Sequence, residues 1–186
     1  VNRDALNIYL AEKGLFFGPN TSTSKYCMLG GMVGNNSSGT TSIRYGVTRD
    51  KVVRMETLLS DGSKAVFEEC DQNLLQQKLE QDSLEASIYK MFLEELSDKK
   101  VQSHIINDFP HASVHRRNTG YAVDKLLEQQ PFQPKGSGLN LSKLLAGSEG
   151  TLAFTTAITL DLEPLPPQHS VMLVLHFDSI KNAMQA

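Results

Sequence analysis

"LGGMVGNNSSG", residues 29–39, places Gly30, Gly31, Gly34 and Gly39 among short polar side chains. A backbone without Cβ atoms approaches a ligand closely and reaches positive φ, and successive N–H groups in such a turn form a concave anion site. Asn35, Asn36, Ser37 and Ser38 add short donors and acceptors. The stretch therefore suits a diphosphate or the polar edge of a ring. It is not a phosphate-binding Walker loop, because no Gly-Lys-Ser/Thr follows, and it lacks the Gly-x-Gly-x-x-Gly of a dinucleotide fold. Composition alone leaves a plain flexible loop open beside this reading.

Outward from it, the patterns alternate between helix and strand. Residues 3–13 carry Leu6, Ile8, Tyr9 and Leu10 near helical spacing and stop at Gly14. Gly18-Pro19 ends a short apolar stretch at 15–17. Residues 52–69 read as strand, Asp61-Gly62 turn, strand. From Asp71 to Leu96 an apolar helical face returns, broken near Asp82-Ser83. Residues 97–137 are polar and less regular, with a short helix expected over 122–128 and a loop at Pro131, Pro134 and Gly136. A helix is expected over 139–145, a long strand over 151–165, and, past Pro164, Pro166 and Pro167, a strand over 171–177 and a helix capped at Asp178-Ser179.

With 186 residues and 40 % apolar composition the chain can build a domain with its own core. A net charge of −3 with mixed signs gives no electrostatic case for nucleic acid. Cys27 and Cys70 are too few for a disulfide framework and are read as reduced thiols of a cytoplasmic protein. No apolar run approaches the roughly 18 residues of a membrane span. Both ends run directly into helical patterns, which reads as a piece of a longer polypeptide.

A second cluster, "LLAGSEGTLAF" at 144–154, sets Gly147, Ser148, Glu149 and Gly150 between a helix and a strand. Taken in order, Gly18-Pro19, "LGGMVGNNSSG" with "IRYGVTRD", "LLSDG" at 58–62, "RRNTGY" at 116–121 and "GSEGTL" at 147–152 resemble the FAD-linked oxidases of the vanillyl-alcohol oxidase and para-cresol methylhydroxylase (PCMH) superfamily. The resemblance covers most of residues 14–165 and is strongest to the D-lactate and D-2-hydroxyglutarate dehydrogenase branch.

That resemblance implies an α+β fold: the second subdomain of a PCMH-type FAD-binding domain, a mixed sheet flanked by helices. It implies FAD as cofactor, held at Leu29, Gly30, Gly31, Gly34, Asn35, Asn36, Ser37, Ser38 and Gly39 on one side. Gly147, Glu149, Gly150, Leu152 and Phe154 would reach the flavin and its ribityl chain, while Pro19, Tyr45 and Gly46 would shape the pocket wall. Residues 1–167 would form the partial flavin domain and 168–186 the start of a substrate-binding cap. The implied reaction is hydride transfer from a D-2-hydroxy acid to FAD, followed by delivery to an electron acceptor, with catalytic side chains outside this chain. An acceptor in the inner membrane would place the protein peripherally there rather than free in the cytoplasm. An alcohol or sugar oxidase of the same fold, or a non-catalytic nucleotide-binding module, are the alternatives.

The family often has Gly where this chain has Ala153 and an aliphatic residue where it has Phe154, so those contacts differ here. The family's first diphosphate loop would precede residue 1, which predicts weak or absent FAD binding for this chain taken alone, and a partly apolar exposed cleft face predicts its self-association. His111 and His115, four apart, lack a third metal ligand and are read as surface residues. Ser148 lies in a helix-to-strand turn, the reverse of a nucleophile elbow. Arg116, Arg117 and Asn118 fit either a pocket rim or the surface.

Overall fold

The structure is a computed structural model that describes residues 1–111, 113, 114, 116, 117, 120–169 and 171–186. Helix α1 (Arg3–Ala11) starts on the side chain of Asn2, which accepts from the N–H of Ala5. Strand β1 (Leu15–Phe16) follows the turn at Gly14. The glycine-rich segment then departs from a ligand loop: residues Leu29–Asn35 form helix α2, and the short helix α3 covers Ser42–Tyr45. Gly30, Gly31, Gly34 and Gly39 all keep ordinary φ, and the left-handed residue of the segment is Asn36 at φ 53°. The helix ladder satisfies the backbone of this stretch better than an open loop would, so positive φ is confined to its C-terminal cap.

Strand β2 (Val52–Leu58) and strand β3 (Lys64–Phe67) form the expected hairpin, with Gly62 at φ 82° and the Asp61 carboxylate accepting from the N–H and hydroxyl of Ser63. Helix α4 (Gln72–Leu79) and helix α5 (Leu84–Ser97) break where expected, at an N-cap made by Ser83. Residues Lys99–Asp108 form helix α6, where the polar composition had predicted irregular structure. Its signals are the N-cap carboxylate of Asp98 and the pair Val101 and Ile105, spaced four apart, which pack on the core.

Helix α7 (Val123–Leu127) lies within the range expected for it. Helix α8 covers only Ser142–Leu145, because Leu139 is drawn into a bridge with Cys70 and the side chain of Asn140 caps the N–H of Ser142. Strand β4 (Phe154–Leu160) and strand β5 (Glu163–Pro164) divide the single long strand expected over 151–165.

The strands build a three-stranded sheet in the order β3-β2-β4 and a two-stranded pairing of β1 with β5, antiparallel in every pairing among the described residues. Helices cover one face of the larger sheet, so the α+β class holds. A bulge in β2 between Val52 and Arg54 turns both Val52 and Met55 into the core. There they join Phe67, Tyr89, Leu126 and Leu139.

Residues 171–177 form no strand. Val171 is 95 % and Leu173 78 % exposed, and α9 (Ile180–Gln185) beyond them buries nothing. Alternating apolar character expresses a preference for a half-buried sheet, and without a neighbouring strand it specifies no pairing.

Tyr89 is fully buried with its hydroxyl 3.6 Å from the Cys70 sulfur. Burial, foremost, and then the neighbouring Cys70 hold the phenol far above its ordinary value. A raised pKa in the folded state contributes stability below the unfolded-state value, near 10, and that stability is lost as pH rises beyond it. Urea midpoints measured from pH 8 to 11 should fall above about pH 10, and the Tyr89→Phe variant should show a shallower fall. Equal slopes in both proteins would remove Tyr89 as the cause.

Candidate functional site

The two glycine clusters, more than a hundred residues apart in sequence, are joined by backbone hydrogen bonds. The N–H of Gly147 donates to the carbonyl of Val33 at 2.9 Å, and the N–H of Glu149 donates to that of Gly34 at 2.9 Å. The turn that presents these donors requires left-handed backbone at Gly147 (φ 92°), Glu149 (φ 52°) and Gly150 (φ 76°). The pairing places helix α2 directly beside the start of β4.

Two adjoining concavities open along this seam and share Gly30, Gly34 and Gly150. One, of about 640 Å³, is lined by these with Leu29, Phe154 and the Thr155–Ile158 stretch of β4, among others. The other, of about 540 Å³, adds Gly31, Asn35 and Glu149. Both are open clefts. Phe154 stands 71 % exposed at the rim, where an aliphatic residue was the family expectation.

Gly30 and Gly31 face this space. A Cβ built on either meets no atom within 4 Å. Glycine in a helix costs about 1 kcal/mol relative to alanine. Among the described residues nothing accounts for that cost at these two positions, whereas Gly39 is explained internally, since a Cβ there would strike Asn20.

The remaining predicted site residues fall into distinct places. Asn36 and Ser37 are buried: the Asn36 Oδ1 accepts from the N–H of Arg49 at 2.8 Å, and the Ser37 carbonyl accepts from the Thr48 hydroxyl at 2.6 Å. They brace the helix end from behind. Ser38 accepts from Arg116 Nε at 3.1 Å. Pro19 is buried, and its carbonyl accepts from Arg3 Nε. Tyr45 packs edge-on against Phe16 and beneath Gly18, while Gly46 abuts the Asp50 carboxylate. Neither Pro19 nor the Tyr45-Gly46 pair lines the two concavities. Leu152 turns away into a small apolar cavity of about 160 Å³ with Met91 and Phe92.

The 116–121 stretch reaches both clusters. Arg116 holds Ser38, and the Tyr121 hydroxyl lies 2.6 Å from that of Thr151. Arg117 forms an ion pair with Asp124 and is mostly buried, so it serves the scaffold rather than an exposed surface. Asn118, Thr119 and His115 lie outside the described residues. The His111 ring meets the Ser113 hydroxyl at 3.0 Å, and among the described residues no group of three His, Cys, Asp or Glu side chains is placed to hold a metal.

Sequence reasoning passed over Arg49 and Lys143. Arg49 is 3 % exposed, and burial, with Arg117 nearby, lowers its pKa to about 10 against a small opposing effect of Asp50. Burial also lowers that of Lys143, whose ammonium donates to the carbonyls of Arg49, Asp50 and Val52. A buried guanidinium and a half-buried ammonium thus lie behind the glycine seam. The basic residue in "VTRD" was visible in the sequence, but its burial was not.

Residues 1–66 match the family model described as FAD binding domain. The chain is 33 % identical over 98 % of its length to a D-2-hydroxyglutarate dehydrogenase of Pantoea ananatis, covering 17 % of that protein. It is 31 % identical over its whole length to the enzyme of the same name from Escherichia coli, again covering 17 % of it. A mitochondrial D-lactate dehydrogenase (cytochrome) of Arabidopsis thaliana is 27 % identical over 96 % of the chain, which covers 20 % of that relative. The chain therefore spans about a sixth to a fifth of the length of these curated relatives.

Proposed function

We propose, for a chain whose residues 1–66 match an FAD binding domain, that the seam between Gly30-Gly31 and Gly150 is one wall of an FAD site in an enzyme that oxidises a D-2-hydroxy acid. The observation that carries the reading is the pair Gly30 and Gly31, side by side on a concave surface where, among the described residues, a Cβ on either would meet nothing. The names of the relatives support D-2-hydroxyglutarate or D-lactate as the substrate type. Residues 1–167 would be the second subdomain of the flavin domain and 168–186 the opening of the cap.

Bound FAD would supply the hydride acceptor for the carbon bearing the substrate hydroxyl. The residues of this chain bind and orient. Gly30, Gly31 and Gly34 allow close backbone approach, Asn35 and Glu149 offer polar atoms at the edge, and Phe154 offers an apolar face against which a ring can lie. Groups that take up the hydroxyl proton, and the electron acceptor, would come from outside this chain. Among the described residues no helix is long and apolar enough to cross a membrane, and the free thiols of Cys27 and Cys70 support a reducing compartment such as the cytoplasm. Exposed Met28, Ile43 and Phe154 favour self-association of the isolated chain.

The test is the Gly30→Ala, Gly31→Ala double variant of the full-length protein. Each substitution should leave folding stability unchanged or raise it by about 0.5–1 kcal/mol, since the added methyl meets nothing and helix propensity improves. FAD affinity should nevertheless fall by ~10-fold or more, as the methyls enter the space the cofactor would fill, a loss of about 1.4 kcal/mol. Stable protein with unchanged FAD affinity would remove these glycines from the site.

A further inference from the structure

Arg49 occupies a single-turn 3-10 helix, Thr48–Lys51, behind the seam, and its contacts run to three separate parts of the chain. Its main-chain N–H donates to Asn36 Oδ1, the left-handed cap of α2, at 2.8 Å. Its Nε donates to the carbonyls of Lys143 at 2.9 Å and Ala146 at 3.1 Å. Its Nη2 donates to Ala146 at 2.6 Å and to Gly120 at 3.1 Å. All the side-chain acceptors are backbone carbonyls, that of Lys143 in helix α8 and those of Ala146 and Gly120 in loops. The planar fork is the feature that lets one side chain meet acceptors in different directions, and an ammonium has no equivalent.

Each of those loops leads into the candidate site. Asn36 follows Gly34 and Asn35; Ala146 precedes the turn that carries Glu149 and Gly150; Gly120 precedes Tyr121, which holds Thr151. None of the atoms that Arg49 binds lines the concavities, so it acts through these turns.

We infer that Arg49 is a positioning residue for the flavin: its guanidinium and its own N–H lock the Asn36, Ala146 and Gly120 loops into one arrangement, which holds Gly30 and Gly34 opposite Gly150. This rests on the FAD reading above. Arg49→Lys keeps the positive charge but loses the fork, so the loops separate while the core of the sheet stays packed. Asn36→Gly, which suits left-handed backbone, cuts the link to Asn36 without altering the guanidinium.

The experiment uses the full-length protein, stripped of flavin and titrated with FAD, with the visible flavin spectrum recorded and amide exchange followed at 34–37 and 146–150. Arg49→Lys should bind FAD about 10-fold more weakly, the factor that loss of one charge-assisted hydrogen bond carries, and Asn36→Gly about 5-fold more weakly, as for a neutral one, each with a shifted flavin absorption band and faster exchange at those two turns. A merely structural Arg49 would lower the melting temperature and leave affinity and spectrum of the folded protein unchanged; that result overturns the inference. If Arg49→Lys does not fold, Asn36→Gly alone decides, by the same readouts. Wild-type protein that takes up no FAD overturns the flavin reading itself, a result distinct from wild-type binding that the variants leave intact.

Discussion

Gly147→Val should destabilise the protein by about 3–5 kcal/mol, a large part of the 5–15 kcal/mol that holds a typical domain folded. Two effects combine. Gly147 sits at φ 92°, where a residue with a Cβ bears about 1–2 kcal/mol of strain and a β-branched one more. A Cβ at this position would also come within 2.5 Å of Arg49 Nη2, 3.2 Å of the Gly120 carbonyl and 3.4 Å of Asn36 Cβ. The guanidinium would be displaced from the Ala146 and Gly120 carbonyls, and each hydrogen bond to a charged group contributes about 1.5–3 kcal/mol. Gly150→Ala is the control. It shares the positive φ, at 76°, but its Cβ would meet nothing, so it should cost only the backbone strain, about 1–2 kcal/mol. Urea unfolding of both variants separates strain from displacement, and equal losses would mean that the approach to Arg49 contributes nothing.

The second large effect concerns an ion pair between helices α4 and α5. Lys78 and Glu85 pair at 2.5 Å with their side chains only 8 % and 12 % exposed, and the ammonium also donates to the Val66 carbonyl at 2.8 Å and lies 5.6 Å from the centre of the Tyr89 ring. Removing one partner of a buried pair leaves the other charge desolvated and alone, typically a loss of about 3–5 kcal/mol, although replacing both with apolar groups is often neutral. Lys78→Met should therefore cost about 3 kcal/mol or more, and the double variant Lys78→Met, Glu85→Leu should recover most of it. A double-mutant cycle in urea checks this directly. A double variant no more stable than the single one would show that the helix pair, rather than the ion pair, absorbs the loss.

Much of the architecture was legible because it is local. The Asp61-Gly62 turn, the Ser83 cap between α4 and α5, and the helical period of 71–96 each carry their signal within a few residues. Local signals misled where distant residues decide. Residues 139–141 leave the expected helix because Leu139 bridges Cys70, and 171–177 stay unpaired for want of a neighbouring strand. The polar helix α6 was hidden by composition, although its cap at Asp98 and its spaced Val101 and Ile105 were present in the sequence.

By itself the sequence determined the α+β class, the motifs shared with FAD-linked oxidases and the two glycine clusters on either side of the chain's middle, because these depend on residue type and order alone. Only the tertiary structure decided which of those residues face outward. Packing turned Asn36 and Ser37 inward toward Arg49 and Thr48, left Gly30 and Gly31 bare on a concave surface, and joined that surface to the Gly150 turn. The physical reason is that a buried donor or cation must find its partner wherever the fold brings one, and the carbonyls that satisfy Arg49 lie more than seventy residues away in sequence.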